Sequence, residues 1–160
     1  MKGSQALGPV FGILHRKPSI EPNDSISNMV TEIKGDIEFR NVSFKYPMRS
    51  DVTIFEDLNL KTSAGKSLAV VGQSGSGKST VIALIMRFYD PISGGVLIDG
   101  YDIKTLNLRS LRLTMSLVQQ EPALFSTTIY ENIKYGLKEA SEIEILKAAR
   151  AANAHHQQNA

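Results

Sequence analysis

The sequence predicts an α/β fold in which a glycine-rich turn joins a buried strand to a helix. Residues 67–71 form a short apolar run with the length and composition of a buried strand. Apolar residues then recur at helical spacing between Val81 and Phe88, and Tyr89-Asp90-Pro91 ends this pattern. Residues 72–80, with three glycines and one lysine, lie between the two patterns. We therefore predict a strand, a loop and a helix in succession.

The loop fits G-x-x-x-x-G-K-[ST], the phosphate-binding loop (P-loop) of nucleotide-hydrolysing proteins. Its glycines let the backbone approach a ligand closely, and its N–H groups form an anion-binding nest at the positive end of the helix. Lys78 would bind the β- and γ-phosphates of ATP, and the Ser79 hydroxyl would bind Mg²⁺. A flexible Gly/Ser linker would not have a strand and a helix on either side. The predicted cofactor-binding residues of the loop are Gly72, Ser74, Gly75, Ser76, Gly77, Lys78, Ser79 and Thr80.

Two antiparallel strands are predicted ahead of the loop, as an N-terminal antiparallel β subdomain of a partial P-loop NTPase core. Ile37, Phe39 and Val42 or Phe44 alternate with polar residues, which is typical of a half-buried strand. Residues 52–60 predict the second strand, and residues 63–66 a turn into the strand of the loop.

The segment after the loop helix predicts short elements and the start of a helical subdomain. Ser141 and Glu144 have the spacing of a capping box, which predicts that the last helix begins there. The predicted elements are a turn at 90–95, a strand at 96–100, a helix at 106–113, a strand at 115–119, a helical turn at 128–133 and a helix from 141.

The outer parts of the chain are predicted from composition. Residues 1–16 form a short amphipathic helix, and residues 17–28 have the Pro, Ser, Asn and Asp content of a linker. We divide the chain into a helix and linker at 1–34, a partial nucleotide-binding domain at 35–154 and an unstructured tail at 155–160. The sequence predicts no transmembrane helix.

The totals exclude several kinds of site. A net charge of +2 gives no reason to expect a nucleic-acid partner, and the absence of cysteine excludes disulfides and thiolate metal sites. His155 and His156 lack a third ligand nearby in sequence, so we interpret them as solvated.

Several further motifs accompany the P-loop: Phe44-Lys45-Tyr46-Pro47, Asp90-Pro91 with residues 94–100, and residues 119–125. With these motifs, residues 35–154 resemble ATP-binding-cassette (ABC) transporters, specifically the multidrug-exporter (P-glycoprotein-like) branch of plant type. The resemblance implies that Tyr46 stacks on the adenine ring of ATP. It also implies that Gln120, with Gln119 as a rival, is the Q-loop glutamine that contacts Mg²⁺ and the γ-phosphate.

Two segments look like later motifs of the family but are not interpreted as such. Residues 92–95 resemble the signature motif, yet they precede the Q-loop and are followed by Val96. Asp99 resembles a Walker B aspartate, yet Gly100 follows where the catalytic glutamate belongs. Both segments are better explained as parts of a β-hairpin.

The resemblance implies the nucleotide-binding domain of an exporter at the cytoplasmic face of a membrane, with the plasma membrane expected. Its expected partners are a transmembrane domain and a second nucleotide-binding domain. These 160 residues contain no signature motif, Walker B pair or switch histidine. We therefore expect ATP binding without hydrolysis by this chain itself, and marginal stability because sheet edges stay open.

Two alternatives are considered. One is a non-catalytic nucleotide-binding interaction module or truncated gene product. The other is a small P-loop kinase, which is disfavoured because no arginine-rich lid follows the loop helix.

Overall fold

A four-stranded antiparallel sheet in the order β2-β1-β3-β4 organises the first part of the chain. The computed structural model describes residues 11–21, 28–137 and 139–154. It divides the chain into two compact units, Met1–Ser116 and Leu117–Ala160. The elements of the first unit are β1 (Ile37–Lys45), β2 (Thr53–Thr62), α1 (Lys78–Ile85), β3 (Ser93–Ile98), β4 (Tyr101–Asp102), a 3₁₀ turn (Ile103–Thr105) and α2 (Leu108–Leu113).

Strand β1 contains a β-bulge, which allows apolar residues at irregular spacing to lie on the same buried face. Phe39, Val42 and Phe44 are all fully buried, although three positions separate the first two. Phe39 pairs with Leu60 and Val42 with Leu58, so β1 has one extra residue at this point. Asn41 has a φ of 48°, which takes up that residue. The bulge therefore keeps the three side chains on the core side of the sheet.

Gly94 on β3 lies opposite the bulge. A Cβ atom at this position would collide with the carbonyl oxygens of Arg40 and Asn41, and the φ of Gly94 is +75°. Both the space and the backbone conformation therefore require glycine. This contact joins β3 to β1 at the point where the register shifts.

The β3–β4 hairpin explains why Asp99 is not a metal-binding carboxylate of the Walker B kind. Asp99 and Gly100 form the two-residue turn, and both have positive φ, as a type I′ turn requires. The Asp99 carboxylate accepts hydrogen bonds from the backbone N–H groups of residues 34, 35 and 36, at 2.7–3.0 Å. Partial burial would raise the pKa of Asp99, but these three donors together lower it. The predicted hairpin is confirmed.

The core of the first unit lies between the sheet and helices α1 and α2. Asn107 caps α2 by accepting a hydrogen bond from the Ser110 N–H. The buried apolar cluster consists of Phe39, Val42, Phe44, Val81, Leu84, Val96, Ile98, Ile103, Leu106 and Leu111.

The second unit is helical, with α3 (Ile129–Lys134) and α4 (Glu142–Ala151) in contact. The predicted capping box is present, because Ser141 and Glu144 exchange hydrogen bonds at the start of α4. Thr128 caps α3. The Asn132 amide bonds to backbone groups of Phe125 and Thr128, so it holds the segment that precedes α3 in a closed turn.

Two predicted strands are wrong. Residues 67–71 and 115–119 adopt no strand, and Val71 and Val118 are 88% and 94% exposed. A strand exists only when a neighbour completes its hydrogen-bond ladder, and no described segment pairs with either run. The only sheet of the described residues is therefore the antiparallel one.

Within the segment predicted as an N-terminal helix, residues 11–14 are helical, while residues 1–10 lie outside the described residues. The predicted tail at 155–160, with its two histidines, also lies outside them. None of the described helices has the length and apolar character needed to cross a bilayer.

Replacing Gly94 by Ala should destabilise the chain more than replacing Gly65 by Ala. Both glycines have positive φ, but only Gly94 faces backbone oxygens, whereas space is open at Gly65. We expect about 1 kcal/mol for Gly65→Ala from backbone conformation, and at least about 3 kcal/mol for Gly94→Ala, where a steric clash is added. Urea unfolding of both variants measures the difference. Equal losses would contradict the proposed close contact.

Replacing Asp99 by Asn should remove a pH-dependent contribution to stability. Asn tolerates the positive φ of this turn but lacks the charge that three N–H donors stabilise, so we expect a loss of about 1 kcal/mol at neutral pH. Because folding lowers the pKa of Asp99, this loss should be fully present above the unfolded pKa of about 3.9 and should fade as the pH falls through the lower folded pKa.

Urea unfolding at several pH values measures the effect. Asp51→Asn is the matched control, since Asp51 is exposed and is not in an ion pair in the described part of the chain. A loss for Asp99→Asn that stays constant below pH 3 would contradict the assignment.

Candidate functional site

The predicted phosphate loop lies against β2. Gly77 is the N-cap of α1, with a φ of 89°. A Cβ atom at Gly77 would lie 2.8 Å from side-chain atoms of both Ile54 and Phe55. The missing side chain therefore lets the start of α1 approach the sheet, and this contact fixes where the helix begins.

The Lys78 side chain forms hydrogen bonds within the loop. Its Nζ atom donates hydrogen bonds to the carbonyl oxygens of Gly72, at 2.9 Å, and Gln73, at 2.6 Å. The bend also has a backbone hydrogen bond from Ser76 N–H to Gln73 O, at 3.2 Å. A Cβ atom at Gly72 would lie 2.7 Å from the Ser76 Oγ atom, so a side chain here would require the Ser76 hydroxyl to rotate away. The ammonium group is thus held at the N-terminal end of α1.

The first turn of α1 presents hydrogen-bond donors. No acceptor in the described part of the chain pairs with the backbone N–H of Lys78 or Ser79, as expected at a helix start. The Ser79 side chain is exposed, whereas Thr80 is only 3% exposed. Ser74, Gly75 and the other loop residues are exposed as far as Ser76. The arrangement has the unpaired donors and fixed positive charge that anions bind.

A groove of about 510 Å³ runs beside Lys78 and Ser79. A second ammonium, on Lys66, and the Thr62 hydroxyl also line it, and the rest of its surface is mostly apolar. None of the described lining residues carries a carboxylate. Lys66 was not predicted as a site residue, because it lies in the turn before the loop and matches no motif.

The structure brings Tyr46 and the loop helix together. The hydroxyl groups of Tyr46 and Thr80 are hydrogen-bonded at 2.8 Å. The Tyr46 ring makes edge contacts with Phe44 and Tyr89, at centroid distances of 5.0 and 5.1 Å. It also borders a cavity of about 440 Å³ whose other lining residues include Phe88. This volume is within the range of small-molecule sites.

Arg112 fixes the opposite end of α1. Its guanidinium donates hydrogen bonds to the carbonyl oxygens of Met86, at 3.0 Å, and Arg87, at 2.9 Å, just beyond the helix. The same group lies 5.0 Å from the centroid of the Phe88 ring. Burial, followed by the charge of Arg87, lowers the pKa of Arg112. This role was missed, since nothing in the sequence links an arginine on α2 to α1.

Gln120 and Gln119 belong to the second unit. Both are exposed and lie outside helices and strands. Their predicted contact with Mg²⁺ and the γ-phosphate stays a prediction.

Comparison with known proteins identifies the family. Residues 55–160 match the ABC transporter family. The chain is 70% identical over 155 residues to ABC transporter B family member 13 and 68% identical to member 14, both from Arabidopsis thaliana. Each alignment covers 97% of this chain and 12% of the relative, so the chain spans about an eighth of the length of these proteins.

A solved structure agrees with the sequence matches. A bacterial Atm1-family ABC exporter with ATP bound is similar with a TM-score of 0.84 and 36% sequence identity. The similarity covers 96% of this chain and 27% of the exporter. The predicted resemblance and the α/β fold class are confirmed, and the chain belongs to the ABC transporter family.

Proposed function

We propose that this chain binds Mg-ATP as the nucleotide-binding part of an exporter. The observation that carries the proposal is the Lys78 ammonium, held in the bend of residues 72–77 at the start of α1. The proposed residues are those predicted from the sequence: Tyr46, Gly72, Ser74, Gly75, Ser76, Gly77, Lys78, Ser79, Thr80 and Gln120.

The phosphates would bind in the bend. The carbonyl oxygens of Gly72 and Gln73 are neutral acceptors, whereas the β- and γ-phosphates carry charge. Hydrogen bonds to charged partners are stronger, so Lys78 would exchange the carbonyls for phosphate oxygens. The unpaired N–H groups of the first turn of α1 would donate to the same phosphates.

The adenine ring would stack on Tyr46. Base stacking on an aromatic ring contributes about 1–3 kcal/mol and accepts any base. The position of Tyr46 supports this role, because its hydroxyl is bonded to Thr80, two residues after Lys78. The aromatic cavity beside the ring gives the base an apolar surface.

Mg²⁺ would be held chiefly by the phosphates. No group of three or more His, Asp or Glu side chains within the described ranges forms a metal cage. The exposed Ser79 hydroxyl is the hard oxygen donor that Mg²⁺ accepts. Gln120 is proposed as a Mg²⁺ ligand from the family resemblance alone. Bound Mg²⁺ would neutralise phosphate charge.

We propose that this chain binds ATP without hydrolysing it. Hydrolysis requires a residue that orients the attacking water. The described lining of the groove beside Ser79 offers lysines and hydroxyls but no carboxylate. The Asp99 carboxylate is occupied by three backbone N–H groups in a hairpin turn, which supports its structural role.

The activity of the whole protein is proposed from the family. ABC transporters couple ATP binding and hydrolysis to transport, and the compared bacterial structure is an exporter. We propose a transmembrane domain and a second nucleotide-binding domain as partners, at the cytoplasmic face of a membrane, with the plasma membrane expected.

Lys78→Ala should weaken Mg-ATP binding by about 1.5–3 kcal/mol, the range for a hydrogen bond to a charged group. Isothermal titration calorimetry measures the dissociation constant. Lys61→Ala is the matched control, because it removes the same charge from an exposed side chain on β2 whose nearest carboxylate, on Glu38, is 3.8 Å away. An unchanged dissociation constant for Lys78→Ala would contradict phosphate binding by this residue.

The purified chain should release no phosphate from Mg-ATP at a rate above that of a blank. The expectation follows from the absence of a carboxylate in the described groove lining. A steady-state phosphate assay tests it, with Lys78→Ala as the control for contaminating ATPases. Turnover that Lys78→Ala abolishes would overturn the proposal of binding without hydrolysis.

A further inference from the structure

We propose that Thr80 is a positioning residue that orients Tyr46 for the base of the nucleotide. The inference rests on the proposed ATP binding and deepens it. Thr80 directly follows the loop motif, which ends at Ser79, and was predicted with the loop as a cofactor-binding residue. The structure assigns its side chain a different task, because the hydroxyl contacts Tyr46.

The Thr80–Tyr46 hydrogen bond is shielded from water. Thr80 is 3% exposed, and Tyr46 is partly buried, so solvent does not compete fully for either hydroxyl. A threonine in a helix ordinarily bonds to a carbonyl one turn earlier. Here its hydroxyl bonds at 2.8 Å to a residue 34 positions away. The bond therefore links the end of β1 to the first turn of α1.

Two rings restrict Tyr46 further. The centroids of Phe44, Tyr46 and Tyr89 form a triangle with sides of 5.0, 5.1 and 5.7 Å. The Phe44 and Tyr89 rings therefore contact each other as well as Tyr46, so the three rings form one cluster. Edge contacts of this kind favour one orientation of a ring relative to its neighbours. The hydroxyl bond to Thr80 supplies the remaining constraint.

The consequence is a physical connection between two parts of the nucleotide site. Lys78 and Ser79 bind phosphates and Mg²⁺ in the proposed function, and Thr80 follows them in the same helical turn. A ring held by Thr80 is placed at a fixed distance from the phosphates. Preorganisation of this kind strengthens binding because less freedom is lost when the ligand arrives.

The test compares two probes, Mg-ATP and inorganic tripolyphosphate with Mg²⁺, by calorimetry on the full chain. Thr80→Val keeps the shape of the side chain and removes the hydroxyl, and Tyr46→Phe removes the same bond from the other side while keeping a stacking ring. We expect each variant to raise the dissociation constant for Mg-ATP about three- to tenfold and to leave that for tripolyphosphate within about twofold. Thr80→Ser, which keeps a hydroxyl, should retain the wild-type ratio of the two constants.

Two controls support the assignment. Tyr101→Phe removes a hydroxyl from an exposed tyrosine on β4, outside the ring cluster and the aromatic cavity, and should leave both constants unchanged. The double variant Thr80→Val/Tyr46→Phe should bind Mg-ATP no more weakly than either single variant, because both remove one bond.

Several outcomes would overturn the inference. Equal weakening of both probes by Thr80→Val would make Thr80 a phosphate ligand, and unchanged constants would remove it from the site. Thr80→Val could fail to fold, which circular dichroism would show. In that case Tyr46→Phe decides: if its ratio of the dissociation constants for Mg-ATP and tripolyphosphate equals that of the wild type, the inference is overturned. Wild-type chain that binds tripolyphosphate as tightly as Mg-ATP would refute the base site, whereas failure to bind either probe would refute the proposed function as well.

Discussion

The candidate site depends on how closely the start of α1 approaches β2. A Cβ atom at Gly77 would overlap the side chains of Ile54 and Phe55. Because glycine has none, the start of α1 packs directly against β2. This seating places Lys78 over the bend and turns Thr80 toward Tyr46. A side chain at position 77 would lift the helix and separate these groups at once. The close packing of a single glycine therefore connects the sheet to the chemistry of the loop.

The ends of α1 are secured by different means. At the N-terminus the seating is steric and leaves backbone N–H groups unpaired, which suits a helix end that receives anions. Just beyond the C-terminus Arg112 binds two carbonyl oxygens and packs on Phe88. A cation at this end also interacts favourably with the helix dipole. One end is thus open for a ligand and the other is closed by the protein.

Local signals in the sequence were sufficient for much of this architecture. The glycine pattern with Lys78 located the loop and the start of α1, and the spacing of Ser141 and Glu144 located α4. These features depend on residues within one turn of each other, so a single sequence contains the information. The alternation in β1 indicated a strand, but the bulge at Asn41 was needed to bury Val42 and Phe44 on the same side as Phe39.

Features that require a distant partner were not predictable. Residues 67–71 and 115–119 have the composition of strands, but a strand forms only with a neighbour, and the described residues provide none. Likewise, the sequence around Thr80 does not indicate Tyr46 as its hydrogen-bond partner, and the sequence around Arg112 does not indicate Met86. The sequence identified which residues carry charge and stacking surface, but tertiary contacts determine their orientation.

The bulge at Asn41 also sets how β1 tolerates changes in length. Side chains along a strand point alternately to the two faces, and the extra residue reverses that alternation midway along β1. Deleting one residue here would place Phe39, Val42 and Phe44 two positions apart, so simple alternation would keep all three on the core side without a bulge. Without the bulge, the carbonyl oxygens of Arg40 and Asn41 would no longer approach Gly94, so the need for glycine at position 94 depends on the extra residue of β1.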